Sequence, residues 1–93
     1  MVLAVLGLNH KTVSVDIREK FSISEESARD GLLHLSEQEG IKEAVVLSTC
    51  NRTEIYAVLK DEEDKEKLYH FFLTLSGNSK AEKEYFFFYT GTE

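Results

Sequence analysis

The residues of this chain best suited to chemistry crowd into one stretch, Ser48-Thr49-Cys50-Asn51-Arg52-Thr53-Glu54. Cys50 is the only cysteine in the sequence. A thiolate is the reactive form, and a free thiol of pKa about 8.5 is pulled down by nearby positive charge. Arg52 is two residues on, which in an extended chain puts both side chains on one side. Its planar guanidinium could stabilise a thiolate or grip a substrate carboxylate. The plainer alternatives are an inert, buried thiol and an ion pair of Arg52 with Glu54 or another surface acid. Spacing alone does not choose between them. Position favours a reactive thiol, because seven polar or thiol residues interrupt two apolar runs. A core cysteine would sit more naturally inside Val45–Leu47.

His10 ends the first apolar run and is a candidate base for Cys50 if the fold brings strand ends together. Otherwise it is a loop hydrogen-bonder. Cys50, His10, His34 and His70 lack metal-ligand spacing, so no metal is expected. His34 and His70 fall beside core positions of predicted helices and are read as structural. A lone cysteine forms no intramolecular disulfide, and redox sensing through it would lack a resolving partner.

Those residues need elements to hold them. Val2–Asn9 is apolar on both faces, which suits a central strand. A short helical turn is possible at Asp16–Lys20. Ser24 is a candidate N-cap with Glu25 and Glu26 behind it, and Ser22 with Glu25 is a competing capping box. Ala28, Leu32, Leu33 and Leu35 recur at helical spacing, so a helix is predicted over Ser24–Glu39 with Gly40 closing it. Glu43–Thr49 and Thr53–Lys60 read as strands joined by a hairpin connection. Leu68, Phe71, Phe72 and Leu75 place a second helix over Glu62–Ser76, ended by Gly77-Asn78. Tyr85–Tyr89, five consecutive aromatics, reads as the last strand.

The order βαββαβ predicts an α+β, ferredoxin-like sandwich: an antiparallel sheet with two helices on one face. The other face would then expose apolar residues of the outer and central strands, and something outside this chain is expected to cover it. The final "TGTE" has no terminating feature, so the chain is expected to be the first domain of a longer protein.

Composition narrows the function. Ninety-three residues with 42% apolar content and ten aromatics suit one small folded domain. Eleven basic against seventeen acidic residues give a net charge of −6, a poor basis for wrapping nucleic acid. Lys11, Arg18, Lys20 and Arg52 leave only local basic spots. "MVLAVLGLN" lacks a basic leader and a cleavage pattern, and no run approaches the roughly 20 apolar residues of a bilayer span. A cytoplasmic location without membrane contact is expected.

"GLNHKTVSVDIREKF" at Gly7–Phe21, followed by "VLSTCNRTEIY" at Val46–Tyr56, resembles the N-terminal domain of glutamyl-tRNA reductases. The likeness spans essentially residues 1–93, although the second helix and last strand match in pattern only. It implies that Cys50 attacks the ester linking glutamate to its tRNA, giving a thioester that NADPH reduces to glutamate-1-semialdehyde in tetrapyrrole (heme, porphyrin) synthesis. It implies that Thr49, Cys50, Asn51 and Arg52 form the glutamyl-binding segment, with Arg52 clamping a carboxylate. It also implies a homodimer at full length and contact with the aminotransferase of the next step. The NADPH domain, the dimerisation domain and a functional histidine of the family are expected beyond this chain, which carries no G-x-G-x-x-G. The fragment alone is therefore not expected to complete the reduction. The competing reading is a non-enzymatic regulatory or interaction module that uses the open sheet face.

Overall fold

The computed structural model describes residues 1–9, 11, 13–49, 51–79 and 81–92. His10 and Cys50, two of the residues singled out above, lie outside the described residues. The chain forms strand β1 (Val2–Asn9), helices α1 (Val15–Lys20) and α2 (Glu25–Leu33), strands β2 (Ile41–Ser48) and β3 (Arg52–Leu59), helix α3 (Lys65–Ser76) and strand β4 (Phe87–Thr92). All strand pairs are antiparallel, in the order β2-β3-β1-β4. This is a small α+β domain with a four-stranded antiparallel sheet. None of its described helices is long and apolar enough to cross a membrane.

Strand alternation sorts the sheet into two faces. Val2, Ala4, Leu6 and Leu8 of β1 lie opposite Leu59, Ala57, Ile55 and Thr53 of β3. All eight are buried. The apolar ridge of α3, Leu68, Phe71, Phe72 and Leu75, joins the same core, as the helical spacing predicts. Phe72 is fully buried, which is worth roughly 1.5–3 kcal/mol of apolar transfer. Phe86 meets Phe72, Tyr69 and Phe21 edge-on, with centroids 5.1, 5.3 and 5.7 Å away. Gly31 lets α2 press against α3, since a Cβ there would fall on the Leu75 side chain.

The opposite face carries no such layer among the described residues. Leu3, Val45, Tyr56 and Tyr89 are exposed on it. Val45, Tyr56, Val5 and Tyr89 form one row across all four strands. The expected open apolar face is present.

Several expectations need correction. The described residues hold three α-helices rather than two, because the suspected turn at Asp16–Lys20 is a helix from Val15. The helix predicted over Ser24–Glu39 ends at Leu33. Ser24 does cap it, accepting a hydrogen bond from the Ser27 N–H at 3.1 Å. At its other end the exposed His34 donates Nδ1–H to the Asp30 carbonyl at 2.9 Å, and the chain tightens into a 3-10 turn at Leu35–Glu37. His34 is thus a terminal residue, not a mid-helix one, and Leu33 points to solvent. Gly40, with φ +88°, turns the chain into β2 instead of closing a helix. The second predicted helix splits into a 3-10 turn at Glu62–Asp64 and α3. The last strand starts at Phe87 rather than Tyr85, because Tyr85 and Phe86 turn into the core and sheet pairing begins opposite Gly7.

Candidate functional site

Between β2 and β3, Thr49 and Arg52 close on each other at the turn. The Thr49 N–H donates to the Arg52 carbonyl at 2.8 Å. Its hydroxyl oxygen accepts from the N–H groups of both Asn51 and Arg52, each at 3.2 Å. Thr49 therefore stands in for a backbone acceptor and holds the turn shut. Ser48 braces the turn from behind: its Oγ accepts from the Ile23 N–H at 3.2 Å and shares a hydrogen bond with Thr53 Oγ1 at 3.2 Å. That bridge ties the hairpin to the segment between α1 and α2.

The end of β1 lies beside the turn. Asn9 pairs with Arg52 in the sheet register. Its carbonyl accepts from the Val13 N–H at 3.1 Å, and its Oδ1 accepts from the Lys11 N–H at 2.8 Å. Arg18 reaches back from α1 and donates to the Val13 carbonyl at 2.9 Å. So Val13 is tied to α1 through Arg18. Of the sequence-predicted site residues, Thr49, Asn51 and Arg52 cluster on one turn. The expected meeting of His10 with Cys50 concerns residues outside those described.

Arg52, Glu54 and Tyr56 project from the same face of β3, as residues two apart must. Arg52 is half exposed, whereas Glu54 is 7% exposed at its side chain. Glu54 Oε1 lies 3.9 Å from Arg52 Nε and accepts a 2.8 Å hydrogen bond from the Tyr56 hydroxyl. A buried carboxylate without partners would be costly, so both contacts matter to this position. The hydrogen bond to Glu54 pushes the Tyr56 phenol above its ordinary value of 10.0, and it remains a donor at neutral pH.

Glu54 has room because of Gly7, which faces it across β1 and β3. A Cβ on Gly7 would sit 2.8 Å from Glu54 Cγ and 2.6 Å from the Thr53 carbonyl oxygen. The Arg52–Glu54 pair appeared in the sequence as the plainer alternative for Arg52, and the structure contains it. The parts played by Gly7 and Ser48 had no local signal, since each depends on a residue brought close by strand register or loop packing.

The comparisons agree on one family. Residues 6–93 match the glutamyl-tRNA reductase N-terminal domain model. A glutamyl-tRNA reductase of Desulforudis audaxviator is 42% identical over 78 residues, covering 84% of this chain and 18% of the relative. One from Synechocystis is 49% identical over 78 residues, with the same coverage of each. The solved glutamyl-tRNA reductase of Methanopyrus kandleri superposes with a TM-score of 0.63 at 27% identity, covering 96% of this chain and 19% of that one. The chain thus spans less than a fifth of the relatives it matches. With the signature hairpin, the antiparallel sheet and the match over residues 6–93 in agreement, the chain belongs to the family of glutamyl-tRNA reductase N-terminal domains.

Proposed function

We propose that this chain is the thiol-bearing, glutamyl-binding domain of an NADPH-dependent glutamyl-tRNA reductase acting in tetrapyrrole synthesis. The strand order β2-β3-β1-β4, with helices in both crossovers, supports reading the domain as ferredoxin-like. The observation that carries the functional reading is the hairpin tip. There Arg52, its side chain half exposed, stands at the start of β3, where the signature turn ends and its backbone N–H is held by Thr49 Oγ1.

The Cys50 thiolate attacks the carbonyl carbon of the glutamyl ester. A C–S bond forms, the C–O bond to the tRNA ribose breaks, and the departing ribose oxygen takes up a proton. The thioester left behind is more easily reduced than the ester, so one difficult step becomes two easier ones. Arg52 holds the side-chain carboxylate of the glutamyl group, and an uncharged analogue would leave the guanidinium unpaired. Thr49 and Asn51 complete the segment around the thiol.

The residues of this chain do not suit a dinucleotide. The sequence has no glycine-rich G-x-G-x-x-G turn, and the described sheet is antiparallel throughout. Binding of the hydride donor is assigned to another part of the reductase, while Cys50 would carry the thioester that is reduced. The net charge of −6 points the same way for the tRNA body, with only the acylated end reaching the turn.

The test is Cys50→Ser in a full-length reductase that contains this sequence. Reductase turnover should fall by about 10³-fold or more, and a glutamyl adduct on the wild-type thiol should be trapped by mass spectrometry. Turnover at the wild-type rate would end the proposal. The exposed row Val45–Tyr56–Val5–Tyr89 favours a second reading, an interaction module working through its open face. Alkylation separates the two: full activity after complete modification of Cys50 would favour the module.

A further inference from the structure

Arg52 cannot by itself settle where its guanidinium points. It is half exposed, and a long side chain at a hairpin end samples several rotamers. Glu54 differs in every respect. Its side chain is buried, it occupies the gap left by Gly7, and one of its oxygens receives the Tyr56 hydroxyl at 2.8 Å. The same oxygen faces Arg52 Nε at 3.9 Å. The three residues alternate along β3, so the strand itself sets their spacing.

Resting on the proposed role of Arg52 as the carboxylate clamp, the geometry points to Glu54 and Tyr56 as positioning residues for the glutamyl substrate. Neither touches the reacting atoms. Tyr56 fixes the carboxylate of Glu54, Gly7 gives that carboxylate its place, and Glu54 sets its negative charge 3.9 Å from Arg52 Nε, an ion pair rather than a hydrogen bond. An Arg drawn by charge on its Nε side leaves its terminal NH2 groups for a planar, two-point grip on an incoming carboxylate. Glu54 thereby converts a mobile cation into an oriented one, and selectivity for glutamate over glutamine should depend on two residues that the substrate never meets. Tyr56 is the less obvious of the two, since its ring lies on the open sheet face.

The experiment uses a full-length reductase that contains this sequence, with glutamyl-tRNA and a glutaminyl-tRNA competitor. Glu54→Gln keeps an acceptor for Tyr56 but loses the charge. It should raise KM for glutamyl-tRNA about tenfold, with kcat changed far less, and narrow the preference over glutaminyl-tRNA. Tyr56→Phe removes one hydroxyl and should move the same two quantities by about threefold. A purely structural role predicts a lower Tm and a smaller active fraction with KM and preference intact, and that result would overturn the proposal. Should Glu54→Gln fail to fold, Tyr56→Phe decides alone: unchanged KM and preference would overturn it. Arg52→Ala keeps the two readings apart. If Arg52→Ala itself leaves KM and preference untouched, the clamp reading fails. If it damages both while Glu54→Gln and Tyr56→Phe do not, only the positioning proposal fails.

Discussion

Glu54 and Asp64 are the buried acids among the described residues, and they lie toward opposite ends of β3. Each is pressed against a glycine where a Cβ would collide, Gly7 for Glu54 and Gly40 for Asp64. Their partners differ. Asp64 Oδ2 accepts the Asp61 backbone N–H at 2.9 Å, and Oδ1 lies 3.2 Å from Lys67 Nζ, one turn along the same helical segment. Glu54 has two side chains instead, one of them half exposed. Both acids thus face a half-exposed cation, Lys67 for Asp64 and Arg52 for Glu54, but Asp64 is also fixed by a backbone N–H. On the proposed reading of Arg52 as the carboxylate clamp, that difference makes the hairpin end the working end and the Gly40 end scaffold.

The sharpest way to break this comparison is to fill each glycine. Gly40→Ala meets a left-handed φ of +88° and an Asp64 oxygen 2.5 Å from the new Cβ. Strain and crowding together should cost about 2–5 kcal/mol, read as a lower urea midpoint. Gly7→Ala meets crowding alone, because Gly7 is not among the positive-φ glycines. It should cost about 1–3 kcal/mol and shift Glu54, so the loss in reductase kcat/KM should exceed what the loss of folded protein explains. Equal damage to stability and activity at both glycines would erase the distinction.

The smallest effect belongs to Asp64→Asn. The Asp61 N–H, and after it Lys67, hold the Asp64 carboxyl below its ordinary value of 3.8. A depressed folded value means the carboxylate adds stability at all pH above about 3.8, and loses it as pH falls through the folded value. Asp64→Asn should therefore melt a few degrees lower at pH 7 and converge with the wild type in strong acid. A gap that stays constant from neutral pH down to about pH 2 would remove the charge from the account.

How much was readable from the sequence depended on distance along the chain. The ridge Leu68, Phe71, Phe72, Leu75 was legible because one helix supplies every member. The Arg52–Glu54 pair was legible because two-residue spacing puts both on one side of a strand. The end of α2 was not, since Gly40 after an apolar run suits helix closure as well as entry into a strand. In the structure α2 stops at Leu33, where His34 caps it and its ring adds a second hydrogen bond to the Asp30 carbonyl. Tyr85 and Phe86 misled in a similar way: an aromatic run suits a strand, but their rings were needed between Phe21, Tyr69 and Phe72. The place of Gly7 against Glu54 required the β1–β3 register, which no local pattern encodes.

Tyr56 has a double allegiance. Its ring helps line the bare side of the sheet, while its oxygen reaches toward the hairpin tip. A layer of protein laid across that side would quiet the ring, and with it the acid and the guanidinium beyond. If Glu54 and Tyr56 position the glutamyl substrate as proposed, stripping such a layer away should blunt substrate discrimination before it slows bond making, a lesion felt at the turn though nothing at the turn had changed.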